Sequence, residues 1–480
     1  MLIPKDQSGK TRAHAGWWRT PLRVVLTVLG TNAALMLLLG LTYAIPNGPI
    51  IEKVNADFQA GRLNEDYPGN RLGGTLDGFT QCLGVSSGVL PVDSDISIPM
   101  RVSMVPRSNT PCASAAEAFA LLATNGPFED ADTGVSHSYT RYWSGYSIIS
   151  RPALALGGVR LVQAVTGLLL VGASGLLAWS VYRRVGGLPA AALVGTYLLT
   201  TNTLGTPRAF TQGIAEAVLL AGAAVVLLVP RKWILPAAAA AASTFVFVDL
   251  LTVPSSSWAL TAFLVGVRAW TEWVGREPSP EAGRLWLQVG KASGLGMIAW
   301  GFGYATTWGM RWLVAMIYSD PGAVVRNVLW TAQFRMDGDT TSTGVVLPVV
   351  NAPLATIRAN LSAWKAIPGG WYALVIFAIA LVCLYTMRKQ MAERGGIATL
   401  AMLMLPSLLV PLWYEVMRNH SQLHAWFTHR SLGMALAIVV ASMAIVVAGK
   451  VVKGRAGSEE VAQPPAPESE RLDDLLEESA

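Results

Sequence analysis

The sequence predicts an all-α integral membrane protein of about ten transmembrane helices, with two long outer loops and both termini in the cytoplasm. Three observations predict it. Of the 480 residues, 52% are apolar and only 14% charged, against roughly 25% charged in soluble domains. Apolar runs near 20 residues recur along the chain, each long enough to cross about 30 Å of hydrocarbon. When those runs are threaded in turn, every basic pair between them falls on one side, as positive-inside orientation requires.

The elements follow in order. Lys5, Lys10, Arg12, Arg19 and Arg23 precede or open the first run, 21–44, which puts residues 1–20 in the cytoplasm. That run lacks a small-residue cleavage site and many more follow, so it reads as a retained helix and not as a removed signal peptide. A long outer loop, 45–156, comes next; its Gly, Pro, Asp and Ser content excludes a further span. The run 158–182 returns to Arg183-Arg184. Runs 188–203 and 211–229 form a hairpin ending at Arg231-Lys232, and runs 233–252 and 256–271 form another, ending in the charged stretch Arg276 to Lys291. The run 292–310 leads into the second long outer loop, 311–368, and the run 370–387 returns to Arg388-Lys389. Runs 396–417 and 431–449 enclose a short outer loop, 418–430, and end at Lys450 and Lys453. The membrane domain is therefore 21–449.

The tail, 450–480, is Pro-, Glu- and Ala-rich. After Arg455 it holds Glu459, Glu460, Glu468, Glu470, Asp473, Asp474, Glu477 and Glu478 against Arg471 alone, so it reads as a disordered cytoplasmic segment. Without that tail the net charge of +6 becomes strongly positive, which fits orientation signals and contact with anionic membrane lipid. No long basic run carries interleaved aromatics, so nucleic acid is not an expected partner. Cys82 and Cys112 share the first outer loop, where an oxidising environment permits a disulfide; the sequence leaves their pairing open. Cys383 lies in an apolar run and reads as packing.

Polar groups able to do chemistry concentrate in the outer loops. Gly73-Gly74-Thr75-Leu76-Asp77-Gly78 presents a carboxylate between glycines. Such a group serves as a general base if an acceptor hydroxyl lies within hydrogen-bond reach, or as an Asx-turn residue. Glu65 and Asp66 are the other acids considered for that role. The same loop ends in Arg141-Tyr142-Trp143 and then Arg151-Pro152. Arginine between aromatics either anchors at the interface or clamps a phosphate while the rings stack on a sugar. Similar arginines recur at the other outer mouths: Arg208, Arg311, Arg335 and Arg430. His420, His424 and His429 stand in the last outer loop. The first two are four apart, a spacing compatible with a metal, but without the adjacent Glu of zinc hydrolases, so no metal site is assigned. Hydrogen bonding to a phosphate or a sugar hydroxyl, or a structural role at the interface, suits them better. Asp249, near the outer end of an apolar run, is either functional or a helix-holding partner of an arginine; Glu415 invites the same two readings.

Several segments together resemble a group of bacterial polytopic proteins associated with surface-polysaccharide assembly. They are Leu76-Asp77-Gly78-Phe79-Thr80, Tyr139 to Tyr146 with Arg151-Pro152, Val248-Asp249-Leu250-Leu251-Thr252-Val253-Pro254, Trp300-Gly301-Phe302-Gly303-Tyr304 with Arg311-Trp312, and Asn419-His420-Ser421 with His424 and Phe427-Thr428-His429-Arg430. The architecture also resembles the GT-C superfamily of membrane glycosyltransferases. The resemblance implies a polyprenyl-phosphate-linked sugar as donor, an exported cell-envelope glycan as acceptor and an acidic residue in the first outer loop. Many such enzymes carry an adjacent acidic pair soon after the first helix. Here the pair is Glu65-Asp66, well beyond the span, and the family-like segment centres on Asp77.

The expected activity is thus inverting sugar transfer at the outer face of the cytoplasmic (plasma) membrane. Asp77 would be the base, with Glu65 or Asp66 in reserve. Arg141, Tyr142, Trp143, Arg208, Asp249, Arg311, Arg335, His420, His424 and Arg430 would be substrate- or phosphate-binding, the phosphate lying among Arg141, Arg311 and His420 or His424. No cofactor is required, and a divalent cation (Mg or Mn) is compatible with the same groups. The alternatives are a polysaccharide polymerase or ligase using a lipid-pyrophosphate donor, and a lipid-linked glycan transporter.

Overall fold

The computed structural model describes residues 18–63, 77–87, 89, 105–107, 111–124, 136–139, 142–274, 285–338, 350–392 and 396–459. These are helical apart from one short antiparallel ribbon, β1 (Val105–Arg107) with β2 (Ser136–Tyr139). Among the described residues, six helices are long and apolar enough to cross a membrane: Arg19–Tyr43, Ser147–Val185, Thr203–Leu228, Pro368–Thr386, Gly396–Val416 and Ala425–Val447.

We label the helices α1 (Arg19–Tyr43), α2 (Gly48–Gln59), α3 (Gly78–Ser86), α4 (Pro111–Ala123), α5 (Ser147–Val185), α6 (Gly187–Thr200), α7 (Phe210–Leu228), α8 (Ile234–Val248) and α9 (Pro254–Val274). The remainder are α10 (Leu285–Tyr318), α11 (Pro321–Asp337), α12 (Ala355–Lys365), α13 (Pro368–Ala392), α14 (Gly396–Val416), α15 (Arg418–Leu423), α16 (Ala425–Thr428) and α17 (Arg430–Glu459). Helix α7 is the most enclosed of the six, whereas α1 and α13 leave most of their apolar surface exposed. The most extensive packing joins α5 to α7, α9 to α10 and α8 to α10. Gly303 of α10 permits the last of these, since a Cβ there would stand 2.2 Å from the Ala239 carbonyl oxygen of α8.

Several boundaries differ from those expected. Between α1 and α5 the chain forms α2, α3 and α4, and between α10 and α13 it forms α11 and α12. Helix α5 begins at Ser147 rather than near 158, but it is two helices joined at a kink on Gly158 (φ 68°). Asp57 of α2 accepts the Val159 N–H at 2.7 Å, supplying the cap that the second half needs. Helix α8 stops at Val248, so Asp249 lies outside it. Helix α17 runs past the expected end at 449 to Glu459; the acidic stretch 460–480 lies outside the described residues.

Hydrogen-bonded polar groups sort the two ends of the bundle. At one end Arg184 of α5 and Arg268 of α9 both donate to the Leu227 carbonyl (2.8 and 2.6 Å), and Arg231 pairs with Glu272 at 3.5 Å. At the other, Arg151 of α5 donates to Ile45 O (2.8 Å), Asn47 Oδ1 (2.9 Å) and Thr42 O (3.3 Å), holding the end of α1. The Cys82–Cys112 disulfide forms there, tying α3 to α4.

The Gly158 kink supports a test. A Cβ at Gly158 would lie 2.5 Å from Asp57 Oδ2 and would occupy a left-handed backbone conformation. Gly158→Ala is therefore expected to destabilise the fold by about 1–3 kcal/mol, read as a lower unfolding midpoint in detergent. Gly172→Ala meets nothing within 4 Å; as a helix-interior replacement it should leave the midpoint unchanged or raise it.

Candidate functional site

Helix α10 carries Trp300, Tyr304, Trp308 and Trp312 four residues apart, and so on one face. Successive ring centroids lie 4.9, 6.1 and 5.5 Å apart, and Trp258 of α9 stacks on Trp300 at 5.4 Å. Trp413 of α14 meets Tyr304 edge-on at 6.3 Å, and Tyr142 meets Trp308 at 6.0 Å. A cavity of about 210 Å³ opens against this ladder. Its walls are Tyr142, Tyr304, Trp308, Trp312, Trp413 and aliphatic side chains; Asn327, Thr331 and Arg335 are its polar members besides the tyrosine hydroxyls.

Arg335 is aimed at that rim by α11. Asp320 caps this helix by accepting the Gly322 and Ala323 N–H groups, and Asn419 Nδ2 ties its last turn to α15 through Phe334 O at 2.6 Å. Arg335 Nη1 lies 2.6 Å from His420 Nδ1 and 3.3 Å from His424 Nε2, while Nη2 donates to the Tyr142 hydroxyl at 3.2 Å. A guanidinium only donates, so both ring nitrogens facing it must accept. His420 Nε2, 2.7 Å from Leu251 O, must then carry the ring's proton. His420 is held neutral. Burial first, and the Arg335 charge second, push its pKa well below the ordinary value. His424 stacks on Phe427 at 5.1 Å and meets Trp426 edge-on at 4.9 Å.

Asp77 stands beyond Trp426. It is the N-cap of α3, with Oδ1 accepting the Thr80 N–H at 3.2 Å. Its Oδ2 accepts Gln212 Nε2 at 2.8 Å, Gln212 Oε1 accepts Arg430 Nη1 at 2.7 Å, and Arg430 Nε donates to Asn202 Oδ1 at 2.7 Å. The amide of Gln212 can point only one way, because an acceptor stands at one end and a donor at the other. One helical turn further along α7, buried Glu216 accepts the Tyr197 hydroxyl. Burial pushes the Asp77 carboxyl up to about 6, against the opposing effects of the Thr80 N–H, the Trp426 indole, the Thr80 hydroxyl and the Arg430 charge. Trp426 thus adjoins both Asp77 and His424.

The expected residues divide accordingly. Tyr142, Arg335, His420 and His424 converge on the cavity rim; Asp77 and Arg430 meet through Gln212. Asp249 accepts the Thr252 N–H and hydroxyl and closes the turn in which Leu251 takes φ 66° and offers its carbonyl to His420. Arg311 is not the arginine beside the histidines. It is fully buried, 5.4 Å over Trp143, which stacks on Phe247 at 4.9 Å and donates to Thr307 O at 2.9 Å. Both belong to a packed pillar because α10 turns this face toward α1 and α8. Arg208 is exposed, and its backbone carbonyl serves by accepting Gln81 Nε2 at 3.0 Å. Glu415 is also exposed. Glu65, Asp66 and Arg141 lie outside the described residues. Sequence reasoning missed Gln212, Glu216, Trp426 and the α10 ladder. Glu216 carried a usable signal, being an acid inside an apolar run.

No trio of His, Cys, Asp or Glu among the described residues is arranged to hold a metal ion. No family model matches this chain, and no curated protein or solved structure is similar to it.

His420 joins three segments, so His420→Ala leaves Leu251 O without its donor and removes the nearest acceptor of Arg335. A loss of about 1–3 kcal/mol is expected, measured as an unfolding midpoint without substrate. Exposed Arg208→Ala should stay within about 0.5 kcal/mol of the parent.

Proposed function

We propose that this chain is a polytopic glycosyltransferase of the cytoplasmic membrane, transferring a sugar from a polyprenyl-phosphate carrier to an exported cell-envelope glycan at the outer face. One observation carries this reading: Arg335, framed by Tyr142, His420 and His424, stands at the rim of an aromatic-walled cavity. A guanidinium matches phosphate geometry, while aromatic walls suit both an isoprenoid chain and a sugar face. A phosphate joined to a lipid and a sugar has all three chemistries.

On this reading α6, α8, α9 and α10 also cross the membrane, giving about ten spans with both termini in the cytoplasm. Helix α8 has 15 residues, about 22 Å of rise, and is enclosed by neighbours rather than by lipid. The basic groups around Leu227 O and Glu272 support a cytoplasmic assignment for that end, and the disulfide suits an oxidising compartment at the other.

The chemistry assigned is a single displacement. Asp77 takes the proton of an acceptor hydroxyl as that oxygen attacks the anomeric carbon. The bond from that carbon to the phosphate oxygen breaks, and Arg335 stabilises the charge gained by the phosphate.

Arg335→Ala is expected to slow transfer about 100- to 1,000-fold, the usual cost of losing one charge-stabilising donor. The assay extracts glycans and lipid-linked intermediates from cells carrying Arg335→Ala, Asp77→Asn or Asp249→Asn at normal protein levels. Loss of one sugar, with its polyprenyl-phosphate donor accumulating, supports the transferase. Glycan of full composition but short or retained on its carrier would instead indicate a polymerase or ligase with a lipid-pyrophosphate donor. Finished lipid-linked glycan confined to the cytoplasmic leaflet would indicate transport.

The base imposes a pH dependence. Asp77 must be ionised to accept a proton, and burial sets its carboxyl at about 6. Transfer in isolated membranes should therefore be flat near neutrality and fall as pH drops through about 6, tenfold per unit below it. A profile without that limb removes Asp77 from the mechanism.

A further inference from the structure

Gln212 is a buried polar group that the transfer mechanism leaves without a task. It is the third residue of α7, an amide in a largely apolar helix. Burying an amide without hydrogen bonds costs about 1–3 kcal/mol, and here both ends of it are engaged. Nε2 donates to Asp77 Oδ2 at 2.8 Å and to the Thr80 hydroxyl at 3.4 Å, while Oε1 accepts Arg430 Nη1 at 2.7 Å. Arg430 is itself held, its Nε donating to Asn202 Oδ1 at 2.7 Å.

This arrangement gives the Asp77 carboxylate a direction. The Thr80 N–H holds Oδ1 at 3.2 Å and Gln212 holds Oδ2, so the two oxygens are tied to different helices, α3 and α7. Those helices bear closely on one another. A Cβ at Gly84 of α3 would stand 2.6 Å from Thr211 Cγ2 of α7, and Gln81 Nε2 donates to Arg208 O at 3.0 Å. The amide cannot turn over, since that would set its oxygen against a carboxylate and its N–H groups against a guanidinium.

We propose that Gln212 is a positioning residue for Asp77, its amide turned by Arg430 so that one N–H holds Oδ2 and the carboxylate keeps a single direction. The inference rests on the reading in which Asp77 is the base. Among the described residues, Arg430 is the charged group facing Asp77, and Glu216 and Tyr197 face Arg430 in turn.

Gln212→Glu separates positioning from simple bracing. The glutamate keeps the length of the side chain and the acceptor for Arg430, so the tie from α7 to α17 survives. It has no N–H for Asp77 and sets a second carboxylate beside it. Loss of a donor and gain of a like charge both favour protonated Asp77, so its titration midpoint rises. General loosening has the opposite sign: burial is what raises this carboxyl, and admitted water would lower it.

The experiment titrates the carboxylic C=O band of purified full-length protein by difference infrared spectroscopy, with isotope-labelled aspartate and Asp77→Asn assigning the Asp77 band. In Gln212→Glu a midpoint about one pH unit higher is expected, a tenfold change in proton affinity. At a pH above the acid limb, kcat should fall about 100-fold, the cost of a misplaced reacting group, with the KM for the lipid-linked donor unchanged. An unmoved or lowered midpoint overturns the proposal, as does a parental kcat, and neither touches the transferase reading. If Gln212→Glu does not fold, Arg430→Met removes both the donor that turns the amide and the charge facing Asp77. Its midpoint should rise as well, and an unmoved or lowered one overturns the proposal. A raised midpoint in a protein whose parent transfers no sugar would leave the coupling intact and sink the transferase reading instead.

Discussion

Buried guanidinium groups hold the loop end of this bundle together, and the arrangement of the site depends on how their donors are satisfied. Each has several N–H groups in a rigid fork, and leaving a buried one unpaired costs about 1–3 kcal/mol or more. Arg151 meets that requirement on carbonyls at the end of α1 and on Asn47. Half-buried Arg335 sets its two terminal nitrogens on two histidines and a tyrosine drawn from distant segments, and Arg430 donates to Asn202 and Gln212. Because one cation collects partners from several connections, the connections must converge.

The convergence sets a polar rim directly on an apolar wall. The wall follows from helical spacing alone, since residues four apart stack along one face of α10. The rim does not, since it needs α11 to end beside α15 and the Asp249 turn to offer Leu251 O to His420. His420 carries its only proton toward that carbonyl and is kept uncharged, leaving Arg335 as the cation of the rim. A cation beside an aromatic cavity is the juxtaposition on which the proposed lipid-linked sugar chemistry rests.

Trp426 gives the two polar clusters a common border. Its ring is edge-on to His424, and its indole helps hold down the Asp77 carboxyl that burial has raised. A carboxyl that burial raises to about 6 and a guanidinium, which only donates, make a suitable division between the proposed proton acceptor and the proposed phosphate partner. The Gln212 amide, fixed in direction by its two neighbours, links the acid to the core of α7.

Membrane character, the helical class and the main apolar runs were legible in the sequence, because hydropathy and helical spacing are properties of neighbouring residues. Six of those runs stand as spanning-length helices. Asp77, Tyr142, Arg335, His420, His424 and Arg430 were also legible as candidates, since polar and aromatic residues clustered between apolar runs are locally conspicuous. Their grouping was not. Arg311 and Arg335 look alike in sequence, each flanked by aromatics or sulfur; α10 packs one into a pillar against Trp143, and α11 turns the other toward His420. Gln212 was hidden because its bonds to Asp77 and Arg430 exist only once α3 and α17 close around α7. Local chemistry determined what kind of protein this is and which residues were available. Tertiary structure alone decided which cation meets which acid, because those partners lie more than a hundred residues apart and only packing brings them within hydrogen-bond reach.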